Sequence, residues 1–122
     1  MKKYALVMAA IMMAFAVGLG AFGAHALSAV VDAKALTSWH TAVLYHLVHA
    51  LALLVLAVWI KLGAPDYVRY GFIGLLLGIV LFSGSLYGYV LTSWSLLVFL
   101  TPVGGLLWLI SWLGIAWFAA RQ

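Results

Sequence analysis

Four long apolar runs restrict what this chain of 122 residues can fold into. They cover approximately residues 4–24, 37–60, 70–92 and 96–120. Each run has about the 20 residues that an α-helix needs to cross the hydrocarbon core of a bilayer. The sequence therefore predicts an all-α protein, in which residues 1–122 form one domain: an integral membrane bundle of four transmembrane helices.

The composition favours a membrane protein over a soluble one. Hydrophobic residues make up 69% of the chain and charged residues 7%, whereas soluble domains have roughly 45–50% apolar and 25% charged residues. The net charge of +4 comes from six basic and two acidic residues. These charges are spread over loops and tails rather than along one face, so they do not indicate a nucleic-acid partner. The absence of cysteine excludes disulfides, thiolate metal sites, iron–sulfur clusters and covalent c-type haem.

The distribution of basic residues predicts the orientation of the helices. Lys and Arg concentrate in cytoplasmic loops of membrane proteins. If the N-terminus is cytoplasmic, only Lys34 lies on the opposite side, and the cytoplasmic side holds the other five basic residues, which are Lys2, Lys3, Lys61, Arg69 and Arg121. We therefore expect both termini to be cytoplasmic.

Small residues line one face of the first and third predicted helices. At ~100° per residue, they share arcs of about 100° and 140°. The two sets are Ala5, Ala9, Ala16, Gly20, Gly23 and Ala24 in the first run, and Gly71, Gly74, Gly78, Gly84, Ser85 and Gly88 in the third. Such faces allow helices to approach closely within a bilayer. They indicate tight packing within the chain, and a homodimer interface is the alternative.

His49 lies near the centre of the second run. An ionisable side chain at that depth is costly, and it usually marks a functional site. Other polar groups of the second to fourth runs lie at a similar depth or nearer the outer surface. The sequence therefore predicts an outward-facing polar pocket that binds or passes a small molecule or an ion. Its predicted ligand contacts are His49, His46, Tyr45, Ser83, Ser85 and Thr101.

Other interpretations of these polar groups stay open. They can satisfy one another, for example by a bond between Tyr45 and His49 one helical turn apart. The chain can be a structural or assembly subunit of a larger membrane complex, or a homo-oligomer. A third alternative is a redox protein that binds haem or a quinone near His49. We predict no enzyme, catalytic residue, metal site or bound cofactor: Ser83 and His49 alone give no oxyanion hole, and His46 and His49 lack further metal ligands.

Four sequence blocks resemble the YgdD/YwdK-like family of small bacterial inner-membrane proteins. These blocks are GLGAFGAH at 18–25, YH at 45–46 with HALALL at 49–54, LFSGSLY at 81–87 and TPVGG at 101–105. The resemblance implies four spans in the inner (plasma) membrane of a bacterium, and no established activity. It also marks positions whose role it leaves open: His25, Gly84, Tyr87, Pro102, Gly104 and Gly105. One departure is Ser111-Trp112 in place of an expected Gly-Trp, which puts close packing of the fourth helix there in doubt.

Overall fold

Helices form nearly all of residues 2–122, the part of the chain that the computed structural model describes. The five α-helices are α1 (Lys2–His25), α2 (Ala33–Lys61), α3 (Asp66–Gly78), α4 (Gly84–Thr92) and α5 (Leu100–Ala120). A π-helical turn at Ile79–Ser83, hereafter the π segment, joins α3 to α4. Single 3₁₀ turns at Leu27–Ala29 and Ser95–Phe99 precede α2 and α5.

These elements give four segments that are long and apolar enough to cross a membrane. The segments are Lys2–Ala29, Ala33–Lys61, Asp66–Thr92 and Ser95–Ala120, and an 18-residue stretch within each has a mean hydropathy between 1.9 and 2.3. The predicted all-α class with four transmembrane helices is therefore confirmed. The orientation of the termini and the division into one domain stay predictions.

The second span begins before the predicted residue 37 because an acidic side chain caps it. The Asp32 carboxylate accepts a hydrogen bond of 2.8 Å from the Ala35 backbone N–H. This bond satisfies one of the donors that the first turn of any helix leaves unpaired. As a result, α2 has 29 residues and its N-terminal end extends beyond the apolar run.

The four spans pack in chain order. α2 contacts α1 on one side and the third span on the other, and α5 contacts the third span. In the most apolar stretch of each span, 44% of the α2 residues are buried, compared with 11% in the fourth span. α2 is thus the central helix, and α5 lies at the edge with most of its surface available to lipid.

Glycines of α3 form the surface on which α5 packs. Any methyl group added to Gly71, Gly74 or Gly78 would overlap Ile115, Ser111 or Trp108 of α5, respectively. This is the tight packing within the chain that the glycine spacing predicts. It includes Ser111, where close approach was in doubt, because Gly74 leaves room for the serine side chain.

Candidate functional site

His49 forms two hydrogen bonds and one ring stack. Its Nδ1 lies 2.8 Å from the Tyr45 carbonyl oxygen, and the Trp112 indole N–H donates to its Nε2 at 3.1 Å. A carbonyl oxygen only accepts, so Nδ1 carries the proton and Nε2 is free to accept. The ring also stacks on Trp108, with centroids 3.8 Å apart and planes 2° from parallel. His49 is therefore a buried, fully paired histidine with a fixed orientation.

Trp108, the stacking partner, is itself fixed by the third span. Its indole N–H donates to the Leu75 carbonyl oxygen at 3.0 Å, and its ring covers Gly78. The ring centroid of Phe82, in the π segment, lies 4.7 Å from that of Trp108. These contacts connect α2, the third span and α5 through one aromatic cluster.

A groove lies between α2 and α5 beside this cluster. It has a volume of about 340 Å³, and we call it the aromatic groove; its lining residues are Tyr45, His49, Phe82, Gly105, Trp108, Leu109 and Trp112. Tyr45 is 44% exposed and Leu109 61% exposed, so the groove opens to the outside of the bundle. In a membrane that side faces lipid.

His46 lies about 60° around α2 from His49 and points toward α1 and α4. Its Nδ1 lies 2.9 Å from the Tyr87 hydroxyl oxygen. Its Nε2 is buried and makes no hydrogen bond within residues 2–122. The Tyr87 ring in turn packs on Trp39, with centroids 4.7 Å apart. His46 is therefore not part of the aromatic groove.

The hydroxyl groups that were predicted as ligand contacts form bonds within the protein. The Ser83 hydroxyl donates to the Ala42 carbonyl oxygen of α2 at 2.7 Å. Ser85 and Thr101 hydroxyls lie 2.6 Å apart and connect α4 to α5, and Ser85 also reaches the Phe82 carbonyl oxygen at 2.9 Å.

The six predicted contacts thus lie in three places, and their role as ligand contacts stays a prediction. Tyr45 and His49 line the aromatic groove, His46 lies on a neighbouring face of α2 and bonds to Tyr87, and the three hydroxyls join helices. The residues that sequence reasoning missed as groove walls are mainly Trp108 and Trp112. They lie four residues apart, on one face of α5, and this spacing was the available signal.

The family-motif positions of unknown role lie in several different parts of the structure. His25 ends α1 and is exposed, and Gly84 begins α4 directly after the π segment. Tyr87 bonds His46, and Pro102 lies exposed in the first turn of α5. Gly104 contacts the backbone of the π segment, and Gly105 lines the aromatic groove.

Comparison with known proteins places this arrangement in a family. Residues 19–105 match the family described as a protein of unknown function (DUF423). The chain belongs to the DUF423 family. Its matched region covers the end of α1, all of α2, the third span and the start of α5, and thus includes most of the aromatic groove.

Several bacterial relatives resemble the chain over nearly its full length. The UPF0382 membrane protein YwdK of Bacillus subtilis is 44% identical over 98% of both chains. A UPF0382 membrane protein of Haemophilus influenzae is 39% identical over 96% of this chain and 94% of its own. The UPF0382 inner membrane protein YgdD of Escherichia coli is 41% identical over 91% and 85%. No solved structure matches.

These findings confirm the predicted resemblance and the predicted location. The relatives are bacterial membrane or inner-membrane proteins, and the chain has four spans of matching character. It is a multi-pass protein of the bacterial inner (plasma) membrane, in a family whose biochemical role is uncharacterised.

Proposed function

We propose that this protein is a binding protein, not an enzyme, and that it takes up a small lipophilic molecule in the aromatic groove. The observation that supports this most directly is the groove itself, an opening of about 340 Å³ beside the fixed His49 ring. Ligand sites are typically about 300–1,000 Å³, mostly apolar, and contain a few placed polar groups. The groove has these properties and opens where a lipid-soluble molecule can enter sideways.

The lining residues favour a ring or a chain of low polarity over an ion. Tyr45, Phe82 and Trp112 form aromatic walls, and both nitrogens of His49 are already bonded. An ion that coordinated His49 Nε2 would first have to displace the Trp112 indole. The exposed Tyr45 is the remaining polar side chain at the rim. Because Tyr45 and His49 lie near the centre of α2, a ligand would reach the groove from the middle of the bilayer.

Gly105 allows a sharp test of this site. A methyl group at Gly105 would make ordinary contact with the Phe82 ring, at 3.6 Å, so a larger side chain there would extend into the groove. Gly105→Leu should leave the protein folded and remove any co-purified small molecule. Gly18→Leu is the matched control, because nothing lies within 4 Å of the added Cβ at Gly18.

The measurement is native mass spectrometry of protein purified in mild detergent, followed by solvent extraction and mass analysis. The expected result is one bound species in wild type and Gly18→Leu, lost in Gly105→Leu. A quinone would be identified by its mass, and a haem by its Soret band. Wild-type protein without any bound small molecule, or equal retention in Gly105→Leu, would refute the groove as a binding site.

A second candidate function is assembly with another membrane protein through α5. This helix lies at the edge of the bundle and exposes several large apolar side chains, among them Leu106, Ile110, Leu113 and Trp117. A photo-crosslinking amino acid at Leu113 should then capture one discrete partner in cells. Crosslinks to lipid alone, together with a monomer in native mass spectra, would argue against assembly.

A further inference from the structure

Three lysines converge at one end of the α1–α2 pair. Lys2 and Lys3 begin α1, and Lys61 ends α2. Because these neighbouring helices run in opposite directions, the start of one lies beside the end of the other. The three lysines line one cleft of about 450 Å³ together with Leu6 and Val7, and we call it the lysine cleft.

The positive charge of the lysine cleft has no anionic partner within residues 2–122. The first turn of α1 contains no acidic residue. The chain has two acidic residues: Asp32 lies at the opposite end of α2, and Asp66 pairs with Arg69 at 3.6 Å in a separate cleft.

The dipole of α1 adds to the excess positive charge of the lysine cleft. The N-terminus of a helix carries a partial positive charge, which disfavours cations in the first turn. Lys61, at the end of α2, complements the dipole of its own helix, but Lys2 and Lys3 oppose that of α1. Packing within the chain therefore leaves two lysines in an unfavourable field, and an external anion would relieve it.

We propose that the lysine cleft binds the phosphate headgroup of an anionic glycerophospholipid. The apolar side chains of Leu6 and Val7 would contact the upper part of an acyl chain, while the ammonium groups reach the phosphate. Basic clefts between transmembrane helices at the cytoplasmic surface favour anionic lipids, and lysine stems pack well on apolar surface. This site is independent of the aromatic groove, which lies near the middle of α2.

The test is native mass spectrometry of the full chain, titrated with phosphatidylglycerol or with phosphatidylcholine of the same acyl chains. We expect wild type to bind phosphatidylglycerol more tightly. Lys61→Gln should weaken that binding about fivefold and leave phosphatidylcholine binding unchanged, while Lys61→Arg retains it. The matched control is Lys34→Gln, beside Asp32 at the other end of α2, which should bind as wild type does.

Several outcomes would overturn the proposal. If the lysines serve only to orient the protein, the two lipids should bind equally well, or Lys61→Gln should not change phosphatidylglycerol binding. An equal loss in Lys34→Gln would indicate a general effect of net charge. Displacement of phosphatidylglycerol by millimolar glycerol 3-phosphate would show that the cleft recognises a free phosphate and not a lipid.

Discussion

Gly104 of α5 lies directly against the backbone of Phe82, and no side chain fits between them. A methyl group at Gly104 would overlap backbone atoms of Leu81 and Phe82 in the π segment. π-helical turns occur frequently at functional sites. Here the turn brings α5 close enough to place Gly105 and Trp108 along the aromatic groove.

The contact between Gly104 and the π segment predicts that alanine is tolerated less well at Gly104 than at the adjacent Gly105. Gly104→Ala should lower the free energy of unfolding by about 1–3 kcal/mol, because backbone atoms cannot move aside as a flexible side chain can. Gly105→Ala should have little effect, since its added Cβ lies 3.6 Å from the Phe82 ring. Thermal unfolding in detergent measures both variants, and equal midpoints would contradict the packing described for α5.

A second prediction concerns the pairing of His49 with Trp112. His49→Leu leaves the Trp112 indole N–H without an acceptor in an apolar environment, which should cost about 1–3 kcal/mol. His49→Gln can still form a hydrogen bond, so its loss should be smaller, ~1 kcal/mol or less.

Thermal unfolding and the tryptophan emission spectrum report these changes together. His40→Leu is the control, because His40 lies on the exposed side of α2. If His49→Leu and His40→Leu have the same unfolding midpoint, His49 has no structural role.

A third prediction concerns His46 and Tyr87. Their bond of 2.9 Å is the one hydrogen bond that His46 makes within the described chain, because its Nε2 is unpaired. Tyr87→Phe leaves both nitrogens unpaired and should cost about 1–3 kcal/mol. In His46→Leu, the same tyrosine substitution should cost much less, so a double-mutant cycle should give a coupling of about 0.5–3 kcal/mol. Additive effects would indicate that the bond contributes nothing to stability.

The four spans could be predicted because the information for them is local. The length of each apolar run determines whether a helix can cross the membrane. Glycine spacing on α3 likewise determines a face that a neighbour can approach, and α5 occupies it. The cap at Asp32 shows the limit of this reasoning, because the position of the first turn depended on one side-chain bond.

The candidate site was less predictable because it depends on contacts between different helices. The predicted faces assumed a regular helix at ~100° per residue, and the π segment at Ile79–Ser83 breaks that regularity. Ser83 bonds to Ala42 of α2 and Ser85 bonds to Thr101 of α5, and neither partner can be read from the periodicity of a single run. Trp is common at membrane interfaces, so Trp108 and Trp112 do not by themselves indicate a binding site. Their contacts with His49 depend on how α5 docks, which no single run of sequence encodes.

The last prediction follows from an arrangement that occurs twice. The Trp39 indole donates to the Leu19 carbonyl oxygen at 2.8 Å, and its ring occupies the space where a side chain at Gly23 would lie. Trp108 does the same with Leu75 and Gly78. Each tryptophan thus fixes one pair of helices, α1 to α2 and α3 to α5.

Trp39 and Trp108 belong to separate core clusters, so their substitutions should act independently. Trp39→Phe and Trp108→Phe should each cost about 0.5–1.5 kcal/mol for the lost hydrogen bond, and the double variant should equal their sum within roughly 0.5 kcal/mol. Only Trp108→Phe should also change retention of a molecule in the aromatic groove, because Trp39 does not line it. Thermal unfolding and native mass spectrometry of the three variants measure both effects. A coupling well above that limit, or ligand loss in Trp39→Phe, would mean that the two helix pairs behave as one unit.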